Sequence, residues 1–277
     1  MANPFPAAET WLPGFATSSP MYEPLANIGW SLEALEHWPD LDAYNALLDP
    51  SIRTASGQCL RFVSQLGKPL RMEEKYEARI YLSGEVQTRI ENWHDFFNAL
   101  VWLVFPRAKA VLNACHFEAI ARTASGGNRD KSRDALTLFD ESGVVILYSD
   151  ESLADLIRDF RWKELFWARR LEVSSNMRFM VFGHSLYEKA LKPYIGLTGK
   201  ALLIKVGADY FNQPSATQVS KADEMIARAF DKNGPYACLR PLPLLGVPGW
   251  WAGNESPDFY ENTGYFRPAP VFKSKYF

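Results

Sequence analysis

The chain has 277 residues, of which 47% are apolar, 22% charged and 14% aromatic. That composition builds a packed globule and excludes a disordered or low-complexity chain. A formal charge of −2 gives no general attraction to nucleic acid or to an anionic membrane, and no nucleic-acid partner is expected.

In chain order, residues 1–70 read as an N-terminal arm packed on the core, 71–240 as a core domain and 241–277 as an irregular extension. Trp30 to Trp38 has the look of a short helix stopped before Pro39. Cys59-Leu-Arg-Phe-Val63 suggests a strand, followed by a turn at Gly67-Lys-Pro69. Glu73 to Leu82 has helical spacing and ends at Ser83-Gly84. The clearest unit follows. Asn92 suits an N-cap and Asp95 the first turn, where a negative charge opposes the helix dipole favourably. This helix runs to about Phe105. Pro106 then suits the first turn of a second helix running to about Thr123, since a proline there sacrifices no bond. A link this short predicts an antiparallel helical hairpin.

Ala135 to Asp140 and Val144 to Ser149 flank Glu141-Ser-Gly143, which predicts a β-hairpin with Asp140 and Glu141 in its turn. Asp150 to Arg170 reads as helix, Met177 to Phe182 as strand, and a helix opens near His184. Gly199 to Val206 reads as strand and Ser220 to Asp231 as amphipathic helix. From Arg240 to the end, Pro, Gly and aromatics predict a surface-crossing segment without regular structure. The fold class is therefore α+β: a helical hairpin and further helices on a small, mainly antiparallel sheet.

Three of the four histidines lie in polar islands within aromatic sequence. Polar groups among large hydrophobes end up buried or half-buried, where each needs a partner. His94 and Asn98 are four apart and share a helix face. His94-Asp95 is not a catalytic dyad, because adjacent helical residues diverge by about 100°; Asp95 is expected to cap the helix or to hold a basic group. Lys109, Asn113 and His116, at i, i+4 and i+7, form a second polar stripe that fits either a pocket wall or a solvated face. His184 and Glu188, again four apart, fit a divalent-metal pair, an oriented imidazole, or a surface pair. Gly183 before them permits close approach of a ligand to the helix N-terminus. Arg133 follows a basic loop with Arg129 and Lys131; the run fits either a solvated connection or an anion-holding loop, with Arg133 the candidate anion holder. Leu244 to Trp251 fits a lid, a docking surface or core packing.

There is no G-x-x-x-x-G-K-[ST], no G-x-G-x-x-G after a strand, no G-x-S-x-G and no H-E-x-x-H. Nucleotide-driven phosphoryl transfer, Rossmann redox chemistry and α/β-hydrolase action lose weight accordingly. Cys59, Cys115 and Cys238 stand apart without a C-x-x-C pair, which fits a reducing, cytoplasmic setting. The N-terminus lacks the basic and apolar regions of a signal peptide. The strongest apolar stretch, Phe96 to Phe105, is too short to cross a bilayer. Nothing here signals an oligomeric state.

Several longer motifs carry a resemblance: Asn92 to Lys109, Arg133 to Glu141, Phe182-Gly-His184 with Glu188-Lys189, Leu242 to Trp250, Phe259-Tyr260 and Phe266-Arg-Pro268. Over roughly Glu77 to Pro268 the chain resembles a proteobacterial domain-of-unknown-function family, family 3025. The resemblance implies a bacterial protein and supplies no activity, substrate or cofactor.

Residue chemistry alone points to an enzyme-like pocket for a small anionic metabolite, with hydrolysis or another acid/base group transfer as the reaction. His94, His184 and Glu188 are the expected catalytic groups. Asn98, Lys109, Asn113, His116 and Arg133 are the expected substrate contacts. A divalent metal is compatible with these side chains, though no spacing specifies one. The alternatives are a non-catalytic binding protein using the same pocket, and an interaction module docking through the Trp-rich C-terminal segment.

Overall fold

A computed structural model describes residues 9–65, 67, 71–124, 131–231 and 239–269, with the backbone alone at 123–124 and 131–133. The turn expected at Lys68-Pro69, the loop 125–130 with Arg129, and Cys238 lie outside the described residues, as do the side chains of Lys131 and Arg133.

The architecture is α+β. A four-stranded sheet runs in the order β4 (Met177–Val181), β3 (Gly143–Tyr148), β5 (Thr198–Lys205), β6 (Arg240–Pro243). β3 pairs antiparallel with β4 and parallel with β5, and β5 pairs antiparallel with β6. Apart from it, β1 (Arg61–Ser64) and β2 (Glu85–Thr88) form a two-stranded parallel pair. The sheets are thus mixed. Every residue of β3 is buried, which explains its unbroken apolar run: a strand covered on both faces does not alternate.

Helices surround the sheet. α1 (Ala26–Leu32) and α2 (Leu41–Ala46) lie in the N-terminal region. α1 starts and ends earlier than its sequence suggests. α3 (Tyr76–Ser83) stops at Gly84, whose φ of 71° suits the glycine C-cap expected there. α4 (Trp93–Val104) is capped by Asn92, whose side chain accepts from the Asp95 N–H at 3.1 Å. After one residue, Phe105, Pro106 opens α5 (Pro106–Ala124). Lys109 on α5 reaches Asn98 on α4 at 3.0 Å, so the paired helices expected over this stretch are present and in contact.

Four expectations are corrected. Ala135 to Asp140 is not the first strand of a hairpin but part of α6 (Lys131–Ser142). Leu136 and Phe139 are buried while Thr137 and Leu138 are exposed, a three-residue spacing that suits a helix and not an alternating strand. Asp140 and Glu141 therefore lie in a last helical turn. The helix expected from Asp150 to Arg170 breaks into α7 (Glu151–Arg158), a π-helical turn (Glu164–Ala168) and α8 (Arg170–Asn176). The break comes at Phe160, which sits at φ 59°, outside helical space. The C-terminal segment is not free of regular structure: β6 joins the sheet edge, where prolines are tolerated because no partner needs their N–H. Leu242, Leu244 and Leu245 are buried, and Tyr265 Oη donates to Leu197 O while accepting from Leu245 N. The close approach at Gly183 is made by the chain's own backbone. A Cβ there would meet the Glu141 backbone and Gly143 N at 2.5 Å.

α9 (His184–Ala190) follows β4 directly, and α10 (Ser215–Asp231) supplies Asp223 to the first turn of α5, where it accepts from Arg107 N and Ala108 N. One apolar cluster runs from Trp11 to Phe266. No described helix is long and apolar enough to cross a membrane.

Candidate functional site

Three elements converge beside the sheet: α4, the end of α6 and the start of α9. Gly183 is what lets the last two meet. Its N–H and that of Phe182 both reach Gly143 O at 2.9 Å, and the absent side chain leaves room for the Glu141 backbone. Asp140 and Glu141 thereby come beside His184 and Ser185.

The geometry is close. His94 Nε2 and His184 Nε2 are 3.1 Å apart, with the rings edge to face at 77°. His94 Nδ1 lies 3.1 Å from Glu188 Oε2 and 3.5 Å from Ser185 Oγ. His184 Nε2 is 3.6 Å from Glu141 Oε1, and its Nδ1 is 3.8 Å from Asp140 Oδ2. That Nδ1 is buried without a hydrogen-bond partner among the described residues. Ser185 Oγ donates to Glu141 Oε2 at 2.5 Å. Lys109 Nζ donates to Asp140 Oδ1 at 2.6 Å and to Asn98 Oδ1, and Asn98 Nδ2 reaches the Tyr76 hydroxyl at 2.7 Å.

Charge follows this arrangement. The hydrogen bond to Glu188 raises the proton affinity of His94, against its partial burial, and lowers that of Glu188 in return. Burial drives His184 the other way, towards the neutral imidazole, despite Asp140. Burial alone would raise Asp140, but Lys109 and His184 outweigh it and hold the carboxyl below its ordinary range. Two imidazoles of opposite tendency thus share one short contact.

A cavity of about 430 Å³ opens over this cluster, with His94, Asn98, His116, Asp140, Glu141 and His184 in its wall. All three island histidines line it. Lys109, Asn113 and His116 are 5%, 2% and 6% exposed, so the solvated-face reading of that stripe is wrong. Only His116 of the three reaches the cavity wall. Lys109 lies behind it on Asp140, and Asn113 turns to Glu77, donating to its backbone and carboxylate oxygens. Glu188 holds His94 and does not pair with His184. Asp95 accepts from Arg89 through both oxygens, the basic-group role expected of it. Arg133 contributes no described side chain.

Tyr76, Asp140, Glu141 and Ser185 escaped the sequence reading. One signal was present. Asp140-Glu141 ends a helix, where carboxylates oppose the dipole, and residues in an unfavourable place invite a functional reading. In a strand and turn the same carboxylates would be ordinary turn chemistry.

No curated protein and no solved structure matches the chain. The model of the family described as "Protein of unknown function (DUF3025)" matches residues 60–270, a span holding every side chain of the cluster above, and the chain belongs to that family.

Proposed function

We propose that this protein is an enzyme of hydrolytic, acid/base type acting on a small polar molecule bound in the cavity. The observation that carries the reading is the pair of imidazoles meeting at 3.1 Å, one held from behind by Glu188, at the wall of a polar cavity. A carboxylate on the far nitrogen fixes an imidazole's tautomer and orientation, as acid/base work requires.

Water is activated where His94 Nε2, His184 Nε2 and Glu141 Oε1 converge. Its proton passes to the cluster and its oxygen bonds to the electrophilic atom of the substrate. The bond to the leaving group breaks, and the cluster returns the proton to the leaving atom. Asn98 and Tyr76 orient the substrate, and His116 forms part of the cavity wall. Lys109 serves from behind by holding Asp140, and Asn113 by anchoring Glu77.

An anionic substrate fits less well than the residue types alone suggest. Glu77, Asp95, Asp140 and Glu141 face the cavity, against Arg89, which Asp95 already engages. A bare anion would be repelled by such a wall. A neutral ester, amide or similar bond suits it. The isolated Cys59 and Cys115 fit a reducing cytoplasm. The interaction-module reading loses support because Leu242, Leu244 and Leu245 are buried and Trp250 packs on Phe179.

The test is a panel of small esters, amides and phosphoesters given to the wild-type chain and to His94→Gln. Turnover by the wild type, reduced at least about 100-fold in the variant, supports the reading. A molecule that raises the melting temperature through the cavity and is recovered unchanged after prolonged incubation favours the non-catalytic binding protein.

A further inference from the structure

Each imidazole at the site has a carboxylate behind it. His94 Nδ1 meets Glu188, an oxygen that can only accept, so Nδ1 carries the proton and the neutral ring keeps its lone pair on Nε2. His184 Nδ1 faces Asp140 Oδ2, which favours the same tautomer. Both lone pairs then aim at one point. Glu141 aims a third: Ser185 engages its Oε2, leaving Oε1 free on the imidazole side. One ligand atom from each of His94, Glu141 and His184 lies within 4.8 Å of the other two. Electron pairs collected in this way repel unless a cation lies among them.

A proton between the rings answers only part of the arrangement. One N–H···N bond satisfies the two Nε2 atoms and makes no use of Glu141. A metal ion uses all three. Ligands about 2.0–2.1 Å from a tetrahedral zinc stand roughly 3.3 Å apart, and the separations here are 3.1 Å between the two nitrogens and 3.6 Å from His184 to Glu141. A carboxylate hydrogen-bonded to the far nitrogen is the usual support of metal-bound histidine; Glu188 holds that place at His94, and Asp140 stands 3.8 Å from His184 Nδ1. A doubly charged ion also balances a wall rich in carboxylates. The ligands come from three separate elements, which is why no compact metal motif stands in the sequence.

We propose that His94 Nε2, His184 Nε2 and Glu141 Oε1 bind one divalent transition-metal cation, zinc foremost, with Glu188 and Asp140 as outer supports and a fourth position open to the cavity. Three protein ligands and an open position are the pattern of a catalytic rather than a structural zinc site. The site stands on this geometry; its use, lowering the pKa of a bound water, rests on the hydrolytic reading.

The experiment takes the purified full-length chain, strips it with a chelator and titrates it with Zn²⁺ by calorimetry. Co²⁺ is then bound in its place to give a visible spectrum. The expected result is one equivalent bound, with an intense tetrahedral-type Co²⁺ absorption. Glu141→Gln and His94→Gln lose both while keeping the wild-type far-UV spectrum. Glu188→Gln keeps the stoichiometry and weakens binding about 10–100-fold. Wild-type binding no tighter than that of the folded Glu141→Gln and His94→Gln variants overturns the site. The two readings fail separately. Turnover that persists in the stripped protein overturns the metal's catalytic use and spares the hydrolytic reading, whereas one equivalent bound with substrates left intact does the reverse.

Discussion

On one face of α4, Trp93, Phe96 and Phe97 meet Trp11, Phe15 and Tyr22; on the other, His94 and Asn98 meet His184, Glu188, Tyr76 and Lys109. The aromatic face draws its stability from area and shape, and any large apolar neighbour serves to a first approximation. The polar face draws it from particular partners. A buried donor or charge that loses its partner is left exposed to the full cost of desolvation. One helix thus presents a tolerant face and an intolerant one about a third of a turn apart.

The largest effect expected from this difference is at Lys109. Lys109→Met keeps the stem and removes the ammonium, leaving Asp140 buried and unpaired. The cost is about 3–5 kcal/mol in denaturant unfolding. Adding Asp140→Asn in the same chain should recover at least half of it, because the stranded charge is gone. Two simply additive losses would show that the pair is not energetically coupled.

Next is a buried carboxyl outside the site. Asp223 accepts from two N–H groups of α5, yet burial pushes its pKa from 3.8 up to about 6. The folded chain therefore binds this proton more tightly than the unfolded chain. The stabilising contribution is complete below pH 3.8 and disappears as pH rises through about 6. The unfolding free energy of the wild type minus that of Asp223→Asn should fall across this window, by up to about 3 kcal/mol. A difference that stays level or rises between pH 4 and 7 would mean that the N–H groups outweigh burial.

On the aromatic face, Phe96→Leu should cost only about 1–1.5 kcal/mol although Phe96 is fully buried, because an apolar group of similar bulk remains. A cost matching that of Lys109→Met would erase the contrast between the faces. The smallest effect on stability is expected at Glu188, which is half-exposed. Glu188→Gln should lie within about 0.5 kcal/mol of wild type, while turnover falls because His94 loses its charged support. Unchanged turnover would remove Glu188 from the site.

The same contrast explains what the sequence disclosed. Trp93, Phe96, Phe97 and Leu100 recur at helical spacing, so α4 and its buried side are legible; the cap at Asn92 and the proline opening α5 set its limits. His94, His116 and His184 stand out because imidazoles amid rings must find partners. The partners themselves are not local. Asp140 and Glu141 reach His184 only because Gly143 and Gly183 let α6 and α9 touch, a tertiary contact with no trace in spacing. Reading Ala135 to Asp140 as a strand concealed them further, since short apolar stretches fit either period. The tail misled for a related reason: its prolines suggest irregular chain, and only the sheet edge on β5 gives Arg240–Pro243 a strand's pairing.

The most direct test of the site is ¹⁵N NMR of the ring nitrogens of all four histidines, before and after one equivalent of Zn²⁺. His94 and His184 should respond together through Nε2, each retaining its proton on Nδ1, while His37, exposed in the N-terminal region, and His116, in the cavity wall but outside the ligand set, keep their positions. A response by only one of the pair, or an equal response at His37, would contradict the convergence of His94 and His184 on a single cation.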